Sequence, residues 1–190
     1  MNLQKIVMAA LIVAAIIMGT SGKNMTTAQQ NAIAARLTQN PVSAADRQFV
    51  IKAAQGGMAE VELGQLASQR ALNSEVKEFG QRMVRDHTQA NAELKELAAQ
   101  KGITLPQDIG EENRKMKANL SQLSGVAFDE AYMNHMVADH NQDVSLFARQ
   151  SRQGNDADLK AWAAKTLPIL QEHLQLARSL SQKLPMHSRL

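Results

Sequence analysis

Laid over itself with a shift of 83 residues, the chain matches in kind at widely spaced positions. Phe49 falls on Tyr132, Glu60 on Asp143, Val61 on Val144, Leu63 on Leu146, Ser68 on Ser151, Val76 on Leu159, Lys77 on Lys160 and Phe79 on Trp162. Each half carries two long stretches of helical periodicity, and a lone amphipathic hairpin has no partner for its apolar face. Two such hairpins must therefore pack on each other, which makes the expected fold an all-α four-helix bundle with a long crossover between the halves.

The helical stretches follow from spacing and punctuation. Ser43 precedes Asp46 by three residues, as in a capping box, so helix one is expected over 44–71, with Phe49, Ala53, Gly57, Val61, Gly64 and Ala67 recurring on one face. Small residues dominate that face, so neighbouring backbones can approach closely. Helix two is expected over 74–100, with Val76, Phe79, Met83, His87, Ala90, Leu94 and Leu97 inward, until Gly102 and Pro106 stop it. Residues 108–123 read as a short helical connection broken at Ser124 and Gly125. Helix three is expected over 128–152 with Tyr132, Met136, His140, Val144 and Phe147 inward. Helix four is expected over 156–184 with Leu159, Trp162, Thr166, Leu170, His173, Leu174 and Ala177 inward, and with Pro168 bending it just before His173. No stretch alternates with period two, so no sheet is expected. The apolar stripes are wider than a strict heptad seam, which disfavours an extended coiled coil.

The ends carry different signals. Residues 1–22 hold Lys5 as their only charge, then 13 apolar residues from Ile6 to Met18, then Gly19, Thr20, Ser21 and Gly22. This is the pattern of a cleaved signal peptide; 13 residues make only about 20 Å of helix, short of a bilayer core of roughly 30 Å. Residues 23–43 read as a linker or arm with a weak helical pattern between Thr27 and Leu37, 44–184 as the bundle, and 185–190 as a tail. Export places the chain in the periplasm or cell envelope, where an envelope protein is the expected kind of partner. No later run reaches membrane-spanning length. The chain has no cysteine, so disulfides, thiolate metal sites and thiol catalysis are out of reach. Without Lys5, 20 of the 21 basic residues face 18 acidic ones, a charge of +2 that gives no case for nucleic acid. No serine or lysine stands in a nucleophile motif, which argues against a hydrolase.

The candidate chemistry lies in three acid–histidine pairs, Asp86-His87, Asp139-His140 and Glu172-His173, each in mid-helix. The histidines share the inward stripes. Glu60 lies at the edge of the inward face of helix one, and Asp143 stands three residues after His140, a spacing that lets both reach one ion. Glu60, His87, His140, Asp143 and His173 thus form a candidate metal-ligand set drawn from all four helices. Asp86, Asp139 and Glu172 are turned about 100° from their histidines and are expected to accept hydrogen bonds from histidines of neighbouring helices. His135 is expected to be solvated or at a helix contact, and His187 lies in the tail. Met83, Met133 and Met136 flank the histidines, and thioethers beside imidazoles would suit Cu(I); core filling is the other reading of the same methionines. Under the 83-residue shift His87 falls on Leu170, His173 on Ala90 and His140 on Gly57, so the histidines do not follow the repeat.

Six segments together resemble a known family: Asp46-Arg-Gln-Phe49, Glu60-Val-Glu-Leu-Gly64, Val84-Arg-Asp-His-Thr88, Phe128-Asp-Glu-Ala-Tyr132, Met136-Val-Ala-Asp-His140 and Leu167-Pro-Ile-Leu-Gln-Glu-His173. That family comprises small exported bacterial proteins of unknown function, often labelled outer-membrane proteins, and the resemblance implies export and a ferritin-like four-helix bundle without implying an activity. The Glu-x-x-His pairs of the true ferritins are absent from helices two and four, against a di-iron oxidase. Residues 128–143 also distantly resemble exported copper-associated proteins with methionine–histidine helices. Two functional readings stand side by side. One is a bundle binding a transition metal (Fe, Zn, Mn or Cu) in its core and serving envelope stress resistance. The other is a non-enzymatic structural or interaction module with a metal-free buried histidine–carboxylate network.

Overall fold

The computed structural model describes residues 26–27 and 42–184. The expected signal peptide, nearly all of the arm, the 185–190 tail and His187 lie outside the described residues. Of the unit Met1–Pro41 only residues 26 and 27 are described, Thr27 being helical. From Val42 onward the chain forms α1 (Ala44–Arg70), α2 (Ser74–Gln100), α3 (Gly110–Ser121), α4 (Gly125–Gln153) and α5 (Ala157–Lys183), with no strand among the described residues. The all-α bundle expected from the repeat is the fold. No helix among the described residues is long and apolar enough to cross a membrane.

α1 packs chiefly on α2 and α4 on α5; the two hairpins meet through α1 against α4 and α2 against α5. Passing from α2 to α4 therefore crosses the bundle diagonally, and α3 carries the chain back along it, resting on α1 and α4. α4 begins at Gly125, three residues before the periodicity suggested. Gly125 has φ of +59°, a left-handed conformation open to glycine, so the residue that seemed to break the pattern is where the helix starts. α5 runs unbroken through Pro168.

The hairpins repeat each other in detail. Phe49 meets Trp162 edge-on with ring centroids 5.9 Å apart, and their repeat mates Tyr132 and Phe79 meet the same way at 6.2 Å. Asn73 caps α2 by accepting from the amides of Glu75 and Val76, and Asp156 caps α5 from those of Asp158 and Leu159. Such caps satisfy amides that the first turn of a helix leaves without partners. Ser43 caps α1 from the Asp46 amide, as the capping-box spacing suggested, and its hydroxyl donates to Asp46 Oδ2.

Asp46 does more than its sequence position announces. Its buried carboxylate accepts from Gln150 Nε2 at 2.7 Å and from the amides of Asn155 and Asp156 in the turn of the other hairpin. Its repeat mate Asp129, also buried, accepts from the amides of Leu72 and Asn73 in the first hairpin's turn. Each hairpin thus closes the other's turn with an aspartate. Burial alone would raise the Asp46 carboxyl, but the bonds from Gln150, Ser43, Asn155 and Asp156 outweigh it and hold it below its ordinary value.

The small face of helix one works as expected within the first hairpin. A Cβ added at Gly64 would lie 2.6 Å from the Gly80 carbonyl oxygen and 3.1 Å from Met83 Cβ. Overpacking of this kind costs about 1–3 kcal/mol, against the ~1 kcal/mol alanine gains over glycine in a helix. Because the obstacle is backbone and cannot swing aside, Gly64→Ala should lower the urea midpoint. An unchanged midpoint would mean that α1 and α2 can separate freely.

Two apolar cores fill the interior. One, at the α1–α2 turn, gathers Leu63, Val76, Phe79, Met83, Phe128, Tyr132, Met133 and Met136; the other, at the α4–α5 turn, gathers Phe49, Leu94, Phe147, Leu159, Trp162 and Leu170. Met83, Met133 and Met136 are thus core residues, as the packing reading had it. Along the α2–α5 seam run ion pairs Glu75–Lys183, Arg82–Glu172, Glu93–Lys165 and Lys101 with Asp156 and Asp158. Between the two cores lies a polar layer.

Candidate metal centre

The polar layer is built by one turn of each long helix. Glu60 on α1, His87 on α2, His140 on α4 and His173 on α5 are all buried, at 1%, 6%, 0% and 1% exposure. His87 and His140 follow Met83 and Met136 of the first core by four residues, and His173 stands four before Ala177 of the same core, so helical geometry brings the three rings to one level. Their centroids lie 5.4–5.9 Å apart. One ring nitrogen from each falls within 4.8 Å of the others'. A single ion bonded at about 2.0–2.1 Å to each nitrogen would hold them a little closer than that.

The hydrogen bonds decide which nitrogens are free. His140 Nδ1 lies 3.0 Å from the Met136 carbonyl oxygen, which only accepts, so Nδ1 carries the proton and Nε2 keeps its lone pair. His173 Nε2 lies 2.8 Å from Asp86 Oδ2. Burial would raise Asp86, but the bonds from His173 and Arg82 hold it below its usual value, so it is ionised and accepts, leaving the lone pair of His173 on Nδ1. His140 Nε2, His173 Nδ1 and His87 Nε2 are buried and have no hydrogen-bond partner in the protein. Three orphaned imidazole nitrogens, two of them on rings whose opposite nitrogen is held by a carbonyl or carboxylate, are the arrangement metal-ligating histidines adopt.

The electrostatics keep these rings neutral, as ligands must be. Burial pushes all three below the ordinary histidine value. Neighbouring His140 and His173 lower His87 further, and His140 is brought down to about 4 by burial and by His173. A cavity of about 290 Å³ reaches this layer between α2 and α5, from Arg82, Lys165 and Glu172 to His87, His173 and Asp143. It is wide enough for an ion and several waters at roughly 30 Å³ each.

Other residues depart from the expected set. Glu60 is not at the edge of its helix face but wholly inside, while Val61 is only half-buried; the face is centred on Glu60 and Leu63. Glu60 Oε1 lies 3.6 Å from His140 Nδ1, on the side of the ring away from the orphaned Nε2. Asp143 does not converge with His140 on the three-imidazole group; it lines the cavity, and burial and Asp139 push its carboxyl up to about 8. Of the three preceding acids only Asp86 accepts from a histidine of another helix. Asp139 instead lies beside the Glu60 carboxyl, and Glu172, 57% exposed, pairs with Arg82 at 2.9 Å because it points outward along the α2–α5 seam. His135 is half-buried rather than solvated, with its Nε2 unpartnered. Arg82 escaped the sequence reading although it stands four residues before Asp86, a pairing distance on any helix. It joins Glu172 to Asp86, and through Asp86 to His173.

Fold and site together define a class: an all-helical four-helix bundle with a cluster of buried histidines between two apolar cores. Within it the chain belongs to the family described as Domain of unknown function (DUF4142), whose model matches residues 27–180. No curated protein matches the chain. In shape it is similar to the crystal structure of a DUF305 fragment from Deinococcus radiodurans, with a TM-score of 0.67, 14% identity, and 76% of this chain and 100% of that one covered. It is also similar to CopM in the Cu(II)-bound form, with a TM-score of 0.58, 15% identity, and 72% and 95% covered. At these identities the likeness is one of fold.

Proposed function

We propose that this protein is an exported bundle that holds one transition-metal ion on His87, His140 and His173 and serves metal handling in the cell envelope under stress. The observation that carries the reading is the trio of buried, partnerless ring nitrogens, His87 Nε2, His140 Nε2 and His173 Nδ1. Three neutral imidazoles suit Zn²⁺, Cu²⁺ or Fe²⁺ better than they suit Mg²⁺ or Ca²⁺. Copper has added support, since a bundle of similar fold, CopM, has a Cu(II)-bound form. Export is supported by the apolar segment from Ile6 to Met18 and the small residues after it. The α2–α5 cavity supplies an entry path to His87 and His173.

The reading is one of binding, because the cavity leads to ring nitrogens that can hold an ion. The test is elemental analysis of untagged protein from the envelope fraction, followed by equilibrium dialysis of the stripped protein against Zn²⁺ and Cu²⁺. The expected result is one equivalent bound at the three-histidine site, lost in His87→Ala and in His173→Ala. Stoichiometric binding that survives both substitutions would overturn it.

A further inference from the structure

On the other side of His140 lies a second group of ligand atoms. Glu60, Asp139 and His140 each have one atom of ligand type within 4.8 Å of the others. Glu60 is 99% inaccessible, no lysine, arginine, amide or hydroxyl donates to its oxygens, and burial together with the adjoining Asp139 carboxyl holds it well above its ordinary value. The Tyr132 hydroxyl, buried and also without a partner, feels the Glu60 charge. Among the described residues no lysine or arginine forms an ion pair with Glu60, Asp139 or Asp143. A buried carboxylate without a counter-charge carries a large desolvation penalty. The two carboxyls share a proton instead, and a cation bound between them would take that proton's place.

We propose that Glu60 and Asp139, with His140 beside them, form a second cation site that takes a divalent ion favouring oxygen ligands, Mn²⁺ or Fe²⁺, next to the three-histidine site. Two carboxylates neutralise a divalent charge, and an oxygen set ranks such ions above Cu(I) or a purely nitrogen-bound ion; the His140 nitrogen on this side is the protonated Nδ1 and borders the site without ligating. The two sites differ in chemistry as well as in place. The first offers three neutral nitrogens; the second offers two carboxylates and lies on the α1 side of His140. The second site goes beyond the proposed function, because it needs neither His87 nor His173.

The experiment is Mn²⁺ titration of the stripped full chain, followed by the loss of the free-ion six-line electron paramagnetic resonance signal, with folding of every variant checked by circular dichroism. Wild type should bind Mn²⁺. Glu60→Gln and, independently, Asp139→Asn should weaken that binding at least tenfold, while His87→Ala should leave it unchanged. Asp139 is half-buried, so its variant keeps the test open if Glu60→Gln does not fold. No Mn²⁺ binding by wild type would overturn the proposal. So would binding untouched by both carboxylate variants, or binding lost in His87→Ala as well, which would mean a single shared ion. Dialysis of the same variants against Zn²⁺ reads the three-histidine site separately, so either site can fail without the other.

Discussion

Asp46→Ala should destabilise the bundle by about 3–5 kcal/mol, seen as a fall of roughly 10–15 °C in melting temperature. The carboxylate receives the Gln150 side chain and the Asn155 and Asp156 amides in a buried position, and alanine would leave these donors with no acceptor. Each unsatisfied buried donor costs about 1–3 kcal/mol, and a domain of this size is stable by only about 5–15 kcal/mol. Asp46→Asn should cost less, since the shape is kept and one oxygen still accepts.

The pH dependence fixes the mechanism. The folded carboxyl is held below its unfolded value of 3.8, so the unfolded chain takes the proton first as pH falls. Stability contributed by the charge is therefore complete above about 3.8 and disappears as pH drops through the folded value. The difference between wild type and Asp46→Asn should stay flat from pH 7 to pH 5 and shrink below pH 4, measured by urea unfolding at each pH. A difference that shrinks already between pH 7 and pH 5 would show that another group is responsible.

Metal loading should produce the second large effect. An ion present at a hundredfold excess over its dissociation constant adds about 2.7 kcal/mol to the folded state, worth roughly 5–10 °C in a bundle of this length. His140→Ala should abolish the rise, because it removes the nitrogen whose tautomer Met136 fixes. Asp86→Asn should reduce it without abolishing it. The asparagine still reaches His173 Nε2 but no longer orients the ring by charge, and partners of this kind are worth about 10–100-fold in metal affinity. A melting curve that ignores the metal in wild type, or that shifts equally in His140→Ala, would count against an ion on these rings.

Much of the fold was legible because helical periodicity and the repeat are both properties of the chain itself. The core-facing stripes of α2 and α5 follow from spacing alone, and so does the level at which His87, His140 and His173 sit. What lay beyond reach depended on how the helices rotate and cross. Glu60 and Val61 are 100° apart on α1, and the apolar residue looked like the inward one; packing against α4 turned the acid inside instead. Glu172 and Asp86 carry the same kind of dipeptide signal and both accept from Arg82, yet only Asp86 also meets a histidine, His173, because interhelical partners are set by the seam and not by the sequence neighbour. Asp46 was legible as a cap of its own helix. Its reach to a turn more than a hundred residues away was hidden, although the 83-residue shift that aligns the aromatic residues also lays Asp46 on Asp129.

The mutual closure of the two turns is also what a two-fold dimer of one hairpin would make, with Asp46 and Asp129 as one residue seen twice. In such a dimer every side chain occurs an even number of times, so an interior site would hold two or four identical ligands. A set of three imidazoles is odd. Under the 83-residue shift the mate of His87 is Leu170, that of His173 is Ala90 and that of His140 is Gly57, and no symmetric pairing of identical hairpins can present that combination. By joining the hairpins in a single chain, the crossover through α3 frees each interior position from its mate, and an odd-numbered ligand set becomes available to a scaffold whose supports remain paired.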